Sequence, residues 1–569
     1  MNSDLILGID LGTTNSLVGV VDSGFPILLA DEHGSRSTPS AVSFGSEIIV
    51  GAAALRQRAL RPQSTVTSVK RLIGRRGGES GWQPHYDLKS LGVTAVEVSA
   101  EILKKLKNIA ERALEQKVSR AVITVPAFFN DAQRAATKKA GELAGLSVER
   151  ILSEPTAAAL AYGLDKLGEH QKVAVYDLGG GTFDISVLEM REGVFQVLAT
   201  AGDTQLGGDD LDRALADFIA QRLNLPPDDM RVLEAAEAAK KRLSSDESTE
   251  FDGLTITRAD LEKIAKPWLE RTRVHCLRAL SDAGVKAGDL DEVILVGGST
   301  RMPLVREFVA QLFGKAPNTT QNPDEAIALG ATIQAGILSG SLRQVLLLDV
   351  TPLSLGIETF GGLMNIIIPR NTTIPAKAGE MFTNAVANQD LMLIRILQGE
   401  RELAKDNWEL GRIEVPFPAG PKGSARVGVQ FSLDADGILH VLARDTATGT
   451  DTTLEIRGTA IDVEDERVEQ MISESVEYAF EDMNERVWTE ARMKAEELLP
   501  AVDAALEQLG DSAEVRACAA EVRRILDAPE HDARALKAAT QQLDDATQTL
   551  AVMLIDRAME ESLARRGVL

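Results

Sequence analysis

One ten-residue pattern occurs twice in this chain, and it restricts the possible fold more than any other feature. Leu7-Gly8-Ile9-Asp10-Leu11-Gly12-Thr13-Thr14-Asn15-Ser16 is echoed by Val175-Tyr176-Asp177-Leu178-Gly179-Gly180-Gly181-Thr182-Phe183-Asp184. Each copy reads as an apolar strand, an aspartate, a glycine turn with threonine, and a second strand. Two such halves make a pseudo-symmetric pair of α/β lobes whose hairpin turns face a shared cleft. The residue types suit phosphate. Glycine lets backbone N–H groups reach phosphate oxygens without a Cβ in the way, and threonine adds hydroxyl donors. Asp10 and Asp177, at the strand ends, are placed to hold a hydrated Mg²⁺, which takes oxygen ligands and keeps several waters. A third turn, Gly297-Gly298-Ser299-Thr300-Arg301, follows the apolar run Val293–Val296 and is positioned to close over the nucleoside side. Neither G-x-x-x-x-G-K-[ST] nor G-x-G-x-x-G occurs, so a phosphate clamp rests on the repeated turn.

From Met1 to about Gln344, short apolar runs (Leu5–Ile9, Leu17–Val21, Ala121–Val125, Val173–Tyr176) alternate with helical spacing in Ala100–Glu115, Asp131–Ala144 and Arg231–Leu243, which predicts an α/β region. Val345–Val350 is too short for a helix and too apolar for a free tether. Such a run marks a docking segment; the alternative is a buried strand joining two domains. The period then changes to two. Arg426–Leu433 and Ile438–Arg444 flank Asp434-Ala435-Asp436-Gly437, a hairpin signal. That turn also resembles the first half of a calcium loop but lacks the later glutamate, so the turn reading is preferred. From about Ala460 to Leu569 the chain is helix-forming and acidic, as expected of a solvated bundle, with breaks expected at Pro500 and Pro529.

At about 150 residues per domain, 569 residues suggest three or four domains. The 61 basic residues against 85 acidic ones leave a net charge of −24, which argues against a nucleic-acid partner. No apolar run approaches the ~18 residues of a membrane span, and the acid-bearing start lacks the basic region of a signal peptide. No membrane partner is expected, and the location expected is cytoplasmic. The two cysteines, Cys276 and Cys518, are too distant in sequence for a disulfide framework or a zinc site, which fits a reducing compartment. The six histidines are scattered, which argues against a zinc enzyme.

At Ile9–Ser16, Lys70-Arg71-Leu72-Ile73-Gly74, Val125–Asn130, Glu154-Pro155-Thr156-Ala157-Ala158-Ala159, Asp177–Asp184 and Asn322-Pro323-Asp324-Glu325-Ala326, the sequence resembles the DnaK-type heat-shock chaperone family over nearly its whole length. The resemblance implies a multidomain chain. Its parts are an actin-like α/β ATPase domain of two pseudo-symmetric lobes (1–344), a hydrophobic linker (345–350), a β-sandwich that binds peptides (351–459) and a helical lid (460–569). It implies an ATP-dependent molecular chaperone that binds and releases extended apolar polypeptide segments, with ATP/ADP and Mg²⁺ as cofactors. A J-domain co-chaperone is an expected partner, and an exchange factor is left open.

Residue by residue, the resemblance gives Gly12, Thr13, Thr14, Gly179, Gly180, Gly181, Gly207 and Gly208 to nucleotide binding. Lys70 matches the lysine that orients the attacking water, Glu154 and Asp184 match carboxylates near the magnesium shell, and Thr182 matches a γ-phosphate contact. Glu237, Lys240, Lys241 and Ser244 match the adenosine pocket, with Gly297, Gly298, Ser299, Arg301 and Asp324 on its other side. Lys241 stands where some relatives have arginine, and lysine cannot stack as a planar guanidinium does. Ile357, Thr359, Phe360, Phe382, Ala385, Met392 and Ile394 match the peptide channel and its arch. Pro126 and Arg134 match a relay to the linker, in which Leu347 and Leu348 dock and Asp349 sets the register.

The segment Arg75 to Ala100 is short, Ser245–Thr255 is clipped, and the chain closes at Arg565-Arg566-Gly567-Val568-Leu569 without a long extension. This compact pattern is most like the bacterial HscC-type branch. Two other functions share the phosphate clamp. An actin-fold small-molecule kinase leaves everything after Gln344 unexplained, and a non-hydrolysing holding or exchange factor is opposed by the presence of Lys70, Glu154, Thr182 and Asp184.

Overall fold

The computed structural model describes residues 5–74, 84–163, 166, 169–226, 229–342, 345–455, 479–509, 512–529 and 531–548. The expected domain limits at 344 and 459–460, part of the segment after Gly74 and the C-terminal run Arg565–Leu569 lie outside these residues.

The repeat is built as the sequence predicts. Leu7–Asp10 pairs antiparallel with Asn15–Asp22, which pairs with Phe25–Leu28; on its other side Leu7–Asp10 runs parallel to Arg120–Val125, which runs parallel to Ser147–Ser153. The second sheet repeats the order. His170–Leu178 pairs antiparallel with Phe183–Arg191 and that with Val194–Asp203, while Glu292–Val296 lies parallel to His170–Leu178. The fifth strand of the first sheet is reduced in the second to a parallel bridge between Ile294 and Asn318. Each sheet has its own apolar core. One core collects Leu7, Ile9, Val98, Leu103, Ile123 and Ile151, and the other Tyr176, Phe183, Leu215, Val293 and Val305. A third core, with Ala157, Leu160, Val175 and Ala331, lies between them.

Leu346–Val350 forms a strand divided between two pairings. Leu346, Leu347 and Leu348 run parallel to Val194, Phe195 and Gln196, whereas Asp349 and Val350 pair antiparallel with Ile374 and Thr373. Up to Leu347 the side chains alternate between core and solvent, and Val350 returns to the core out of that period. Val345, Leu347 and Val350 belong to the third core, and Leu346 is 54% exposed. Further along, Ala376–Phe382, Val427–Leu433, Leu439–Asp445 and Asp451–Glu455 form an antiparallel sheet. A second four-stranded sheet comprises Leu355–Thr359, Leu363–Ile368, Leu391–Gln398 and Trp408–Pro416.

The chain divides into two compact units: Met1–Leu355 with Ile366–Ile396 and Glu409–Glu469, and Gly356–Asn365 with Leu397–Trp408 and Gln470–Leu569. In the second unit, the helices Ala479–Leu509, Ala513–Leu526 and 533–548 share a core of Trp488, Ala495, Val502, Ala519, Val522, Leu536 and Leu543. The indole of Trp488 stacks on His531 at 4.3 Å. Asp482 takes Arg401 in a paired hydrogen bond, and Arg486 bonds Glu402. The break expected at Pro500 does not occur, for Pro500 lies inside Ala479–Leu509. Proline removes one N–H donor from a helix. Here Ala495 on one side and Val502 on the other pack into the same core and carry the helix past it. Pro529 does separate two helices.

Candidate functional site

The two glycine turns meet face to face. A Cβ added to Gly180 would lie 1.9 Å from Thr14 Oγ1, and one on Gly181 would lie 2.6 Å from Thr13 Cγ2, so only glycine allows this approach. Ser40 braces the first turn by donating to Gly12 O at 2.8 Å. The second is closed by Gly179 N–H to Thr182 O at 3.0 Å. The helix Gly208–Leu223 begins against it, with Gly208 N–H donating to Gly179 O and Asp209 N–H to Gly180 O at 2.7 Å. Ser299, in the third turn, donates from Oγ to Gly179 O at 2.9 Å. Gly297 opens that turn at φ +84°, a conformation that favours glycine.

Behind the turns lies a buried acidic cluster with one lysine. Lys70 bonds Glu154, and both side chains are nearly inaccessible. Lys70 sits in the short turn Val69–Leu72, whose Val69 and Ile73 belong to the first core, and Glu154 opens the helix Glu154–Gly163 after a parallel strand. Thr124 Oγ1 donates to Asp10 at 3.0 Å, and Phe128 N–H donates to Asp184 at 3.1 Å. Burial, and then the charge of Glu154, push the Asp10 carboxyl up to about 7 and that of Asp184 up to about 8. The same causes, in the same order, raise Asp177 well above the carboxylate range. Asp184 Oδ2 is buried without a hydrogen-bond partner. A buried cluster of this kind suits a group that brings positive charge and donors, such as a hydrated cation with a phosphate. Asp10 and Asp177 have the donor type for such a cation, and a hydrated Mg²⁺ does not require three protein ligands.

The remaining predicted nucleotide residues lie around the helix Met230–Leu243 and the third turn. Lys240 donates to Gly208 O at 3.0 Å and to Asp212 at 2.8 Å. Glu237 accepts from Lys241 at 2.7 Å and from Arg58 at 3.2 Å. Ser244 caps the end of that helix and bonds Lys240 O. Arg301 forks onto Asp324 and Asn322. The sequence carries no local signal for Arg58, Asp209 and Asp210, and for Arg71 only its place beside Lys70. Arg71 donates to Gly181 O and pairs with Asp210, and Ser68 donates to Asp209 at 2.6 Å.

The match to known families agrees with this geometry. The family model described as Hsp70 protein matches residues 6–556. The chain belongs to the Hsp70 family. Hsp70 proteins are ATP-binding chaperones that use ATP/ADP with Mg²⁺, bind unfolded polypeptides and work with co-chaperones. Among the described residues, no helix of this Hsp70 protein is long and apolar enough to cross a membrane.

The expected relay residues lie together. Pro126 follows the strand Arg120–Val125, and Arg134, on the helix Asp131–Leu143, donates to Phe129 O, Ala127 O and Asp436 O. The sequence points to Asp436 only as part of a hairpin turn. It is that: Asp434 Oδ1 accepts the N–H groups of Asp436 and Ile438. It also bonds Lys138 at 2.8 Å and accepts Ile151 N–H at 3.0 Å. Asp131 accepts Leu439 N–H at 2.8 Å. Burial raises Asp349, opposed by Arg134. The expected peptide residues divide between the units. Ile357, Thr359 and Phe360 belong to the second, where Ile357 is buried and Phe360 is 64% exposed. Phe382, Ala385, Met392 and Ile394 belong to the first, with Ile394 buried and the other three half-buried.

Proposed function

We propose that this Hsp70 protein hydrolyses ATP between its two glycine turns and uses the cycle to bind and release extended apolar polypeptides. The observation that carries this reading is the Lys70–Glu154 pair set among Asp10, Asp177 and Asp184 directly behind the facing turns. Gly12–Thr14 and Gly179–Thr182 bind the phosphates, and Glu237, Lys240, Lys241, Ser244, Arg301 and Asp324 surround the nucleoside. Asp10 and Asp177 would hold Mg²⁺, which supplies charge neutralisation at the phosphates. Lys70 orients the attacking water, Glu154 and Asp184 fix its hydrogen bonds, and Thr182 donates to the γ-phosphate. Such transfer depends on positioning and electrostatics. Phosphate release measured with and without an apolar peptide tests the reading. Stimulation by peptide is expected. ADP formation that requires a small-molecule acceptor and yields no free phosphate would instead indicate a kinase, and neither product a holding factor.

In this reading 1–344 is the ATPase domain, 345–350 the linker, 351–459 the peptide-binding sandwich and 460–569 the lid. The linker and the Asp434–Gly437 turn dock on the ATPase domain in one nucleotide state and leave it in the other. A J-domain protein is the proposed co-chaperone. The clipped hairpin Ser248–Phe251 with Leu254–Thr257 supports likeness to the compact HscC-type branch.

Docking of the turn should depend on pH. Burial, with Asp434 adding to it and Leu439 N–H and Arg134 opposing it, pushes the Asp131 carboxyl up to about 7. The charged groups that act on it are Arg134 on its own helix and Asp434 on the turn, while Arg134, Lys138 and Arg150 gather around Asp436 of the same turn. Once exposed, Asp131 would titrate near the ordinary ~3.9. The docked form therefore holds an extra proton between these values, and docking weakens as pH rises from about 4 through 7. Energy transfer between probes on Asp131–Leu143 and Leu439–Asp445 should fall over that range, and the slope should vanish in Asp131→Asn.

The sandwich should take one central apolar side chain, with backbone hydrogen bonds adding affinity. Met392→Asp is expected to abolish binding of a fluorescent apolar peptide while basal phosphate release continues. Unchanged peptide affinity would assign Met392 to the sandwich core.

A further inference from the structure

We infer that Arg71 is a positioning residue that holds the two lobes together behind the phosphate turns and so limits how fast a nucleoside diphosphate leaves. The inference rests on the nucleotide reading above. Arg71 lies in the turn Val69–Leu72, anchored to the first lobe by Val69 and Ile73 in its core. Its guanidinium reaches two groups of the second lobe. Nε and Nη2 donate to Gly181 O at 3.2 and 2.9 Å, and Nη1 donates to Asp210 Oδ1 at 3.0 Å, with Nη2 on Asp210 Oδ2. Asp210 in turn accepts Gly207 N–H at 2.8 Å. One planar fork thus ties the carbonyl of the glycine turn to the start of the next helix.

The placement explains why arginine stands here. Lysine has one nitrogen and cannot meet Gly181 O and both Asp210 oxygens at once. Burial disfavours the Arg71 charge, but Asp210 beside it prevails and holds the guanidinium protonated. Among the other contacts between the lobes are Ser68 to Asp209 and Arg58 to Glu234 and Glu237. Arg58 is on the more accessible side, whereas the Arg71 side chain is 1% exposed. To separate the lobes at this point, a buried charge must lose its partners, which is costly where water cannot replace them at once. The fork also fixes the peptide plane between Gly181 and Thr182, so its loss loosens the donors around a phosphate as well as the gap between lobes.

The test is release of a fluorescent ADP analogue, chased with unlabelled ATP, from the full-length chain. Arg71→Met and Asp210→Asn should each accelerate release about ten- to a hundredfold, the range expected for loss of charged hydrogen bonds. Arg71→Lys should do so less than Arg71→Met. The double variant should release no faster than the faster single one, because both remove the same fork. If Arg71→Met does not fold, Arg71→Lys and Asp210→Asn carry the comparison. Release within twofold of the unmodified chain, or effects that multiply in the double variant, overturn the role of Arg71 alone. Failure of the unmodified chain to bind the analogue overturns the nucleotide reading and this role with it.

Discussion

Lys70→Ala is expected to keep ATP bound but to lose roughly 10²–10³ in single-turnover hydrolysis, the effect typical of removing one preorganised electrostatic group. The reason is specific to this buried cluster. Four carboxylates, Asp10, Glu154, Asp177 and Asp184, are buried together, and burial already disfavours charge on three of them. Lys70 lowers all three, and it bonds the fourth. Without it the cluster should retain protons, and on the proposed role of Lys70 the attacking water should lose its orienting donor. Phosphate affinity from the glycine turns should survive, because the expected contacts there come from backbone N–H groups and threonine hydroxyls rather than from Lys70. Rapid-quench measurement of bound ATP checks both parts, and wild-type turnover in the variant would remove Lys70 from catalysis.

The second large effect is expected in the linker. Leu347 packs on the third core and pairs with Phe195, whereas Leu346 points away and is exposed. Leu347→Asp together with Leu348→Asp should leave nucleotide and peptide binding near normal and abolish the acceleration of peptide release by ATP. Leu346→Asp should retain most of it. Burial of one aliphatic side chain is worth ~1.5–3 kcal/mol, comparable to the ~1–3 kcal/mol of ordinary coupling between sites. Stopped-flow release of a labelled peptide after ATP addition decides the matter. Full acceleration in the double variant would mean that another contact, such as Asp436 on Arg134 and Lys138, couples the domains.

The strands of the repeat were legible because their apolar runs end at an aspartate and glycines, signals that depend only on neighbours in sequence. The facing of Thr14 and Gly180 was legible as well, since it follows from the symmetry of the repeat. Arg71 was not. An arginine beside a lysine reads as surface charge until the fold brings Asp210 and Gly181 to it from a distant segment. Asp436 was hidden for a different reason: the turn explains its presence fully, so nothing local points to Lys138, Ile151 or Arg134. Pro500 shows the reverse case, a strong local signal overridden by core residues on both sides.

The division of Leu346–Val350 between two partners has a consequence for which changes the segment tolerates. Its first three residues pair with Val194–Gln196, and its last two with Thr373 and Ile374, with nothing between to absorb slack. In a strand, one added residue turns every later side chain to the opposite face. An insertion after Leu348 would keep every apolar group yet turn Asp349 away from the side on which Arg134 and Arg150 lie. A conservative change of side chain is then milder than any change in count. What this joint cannot lose is its length.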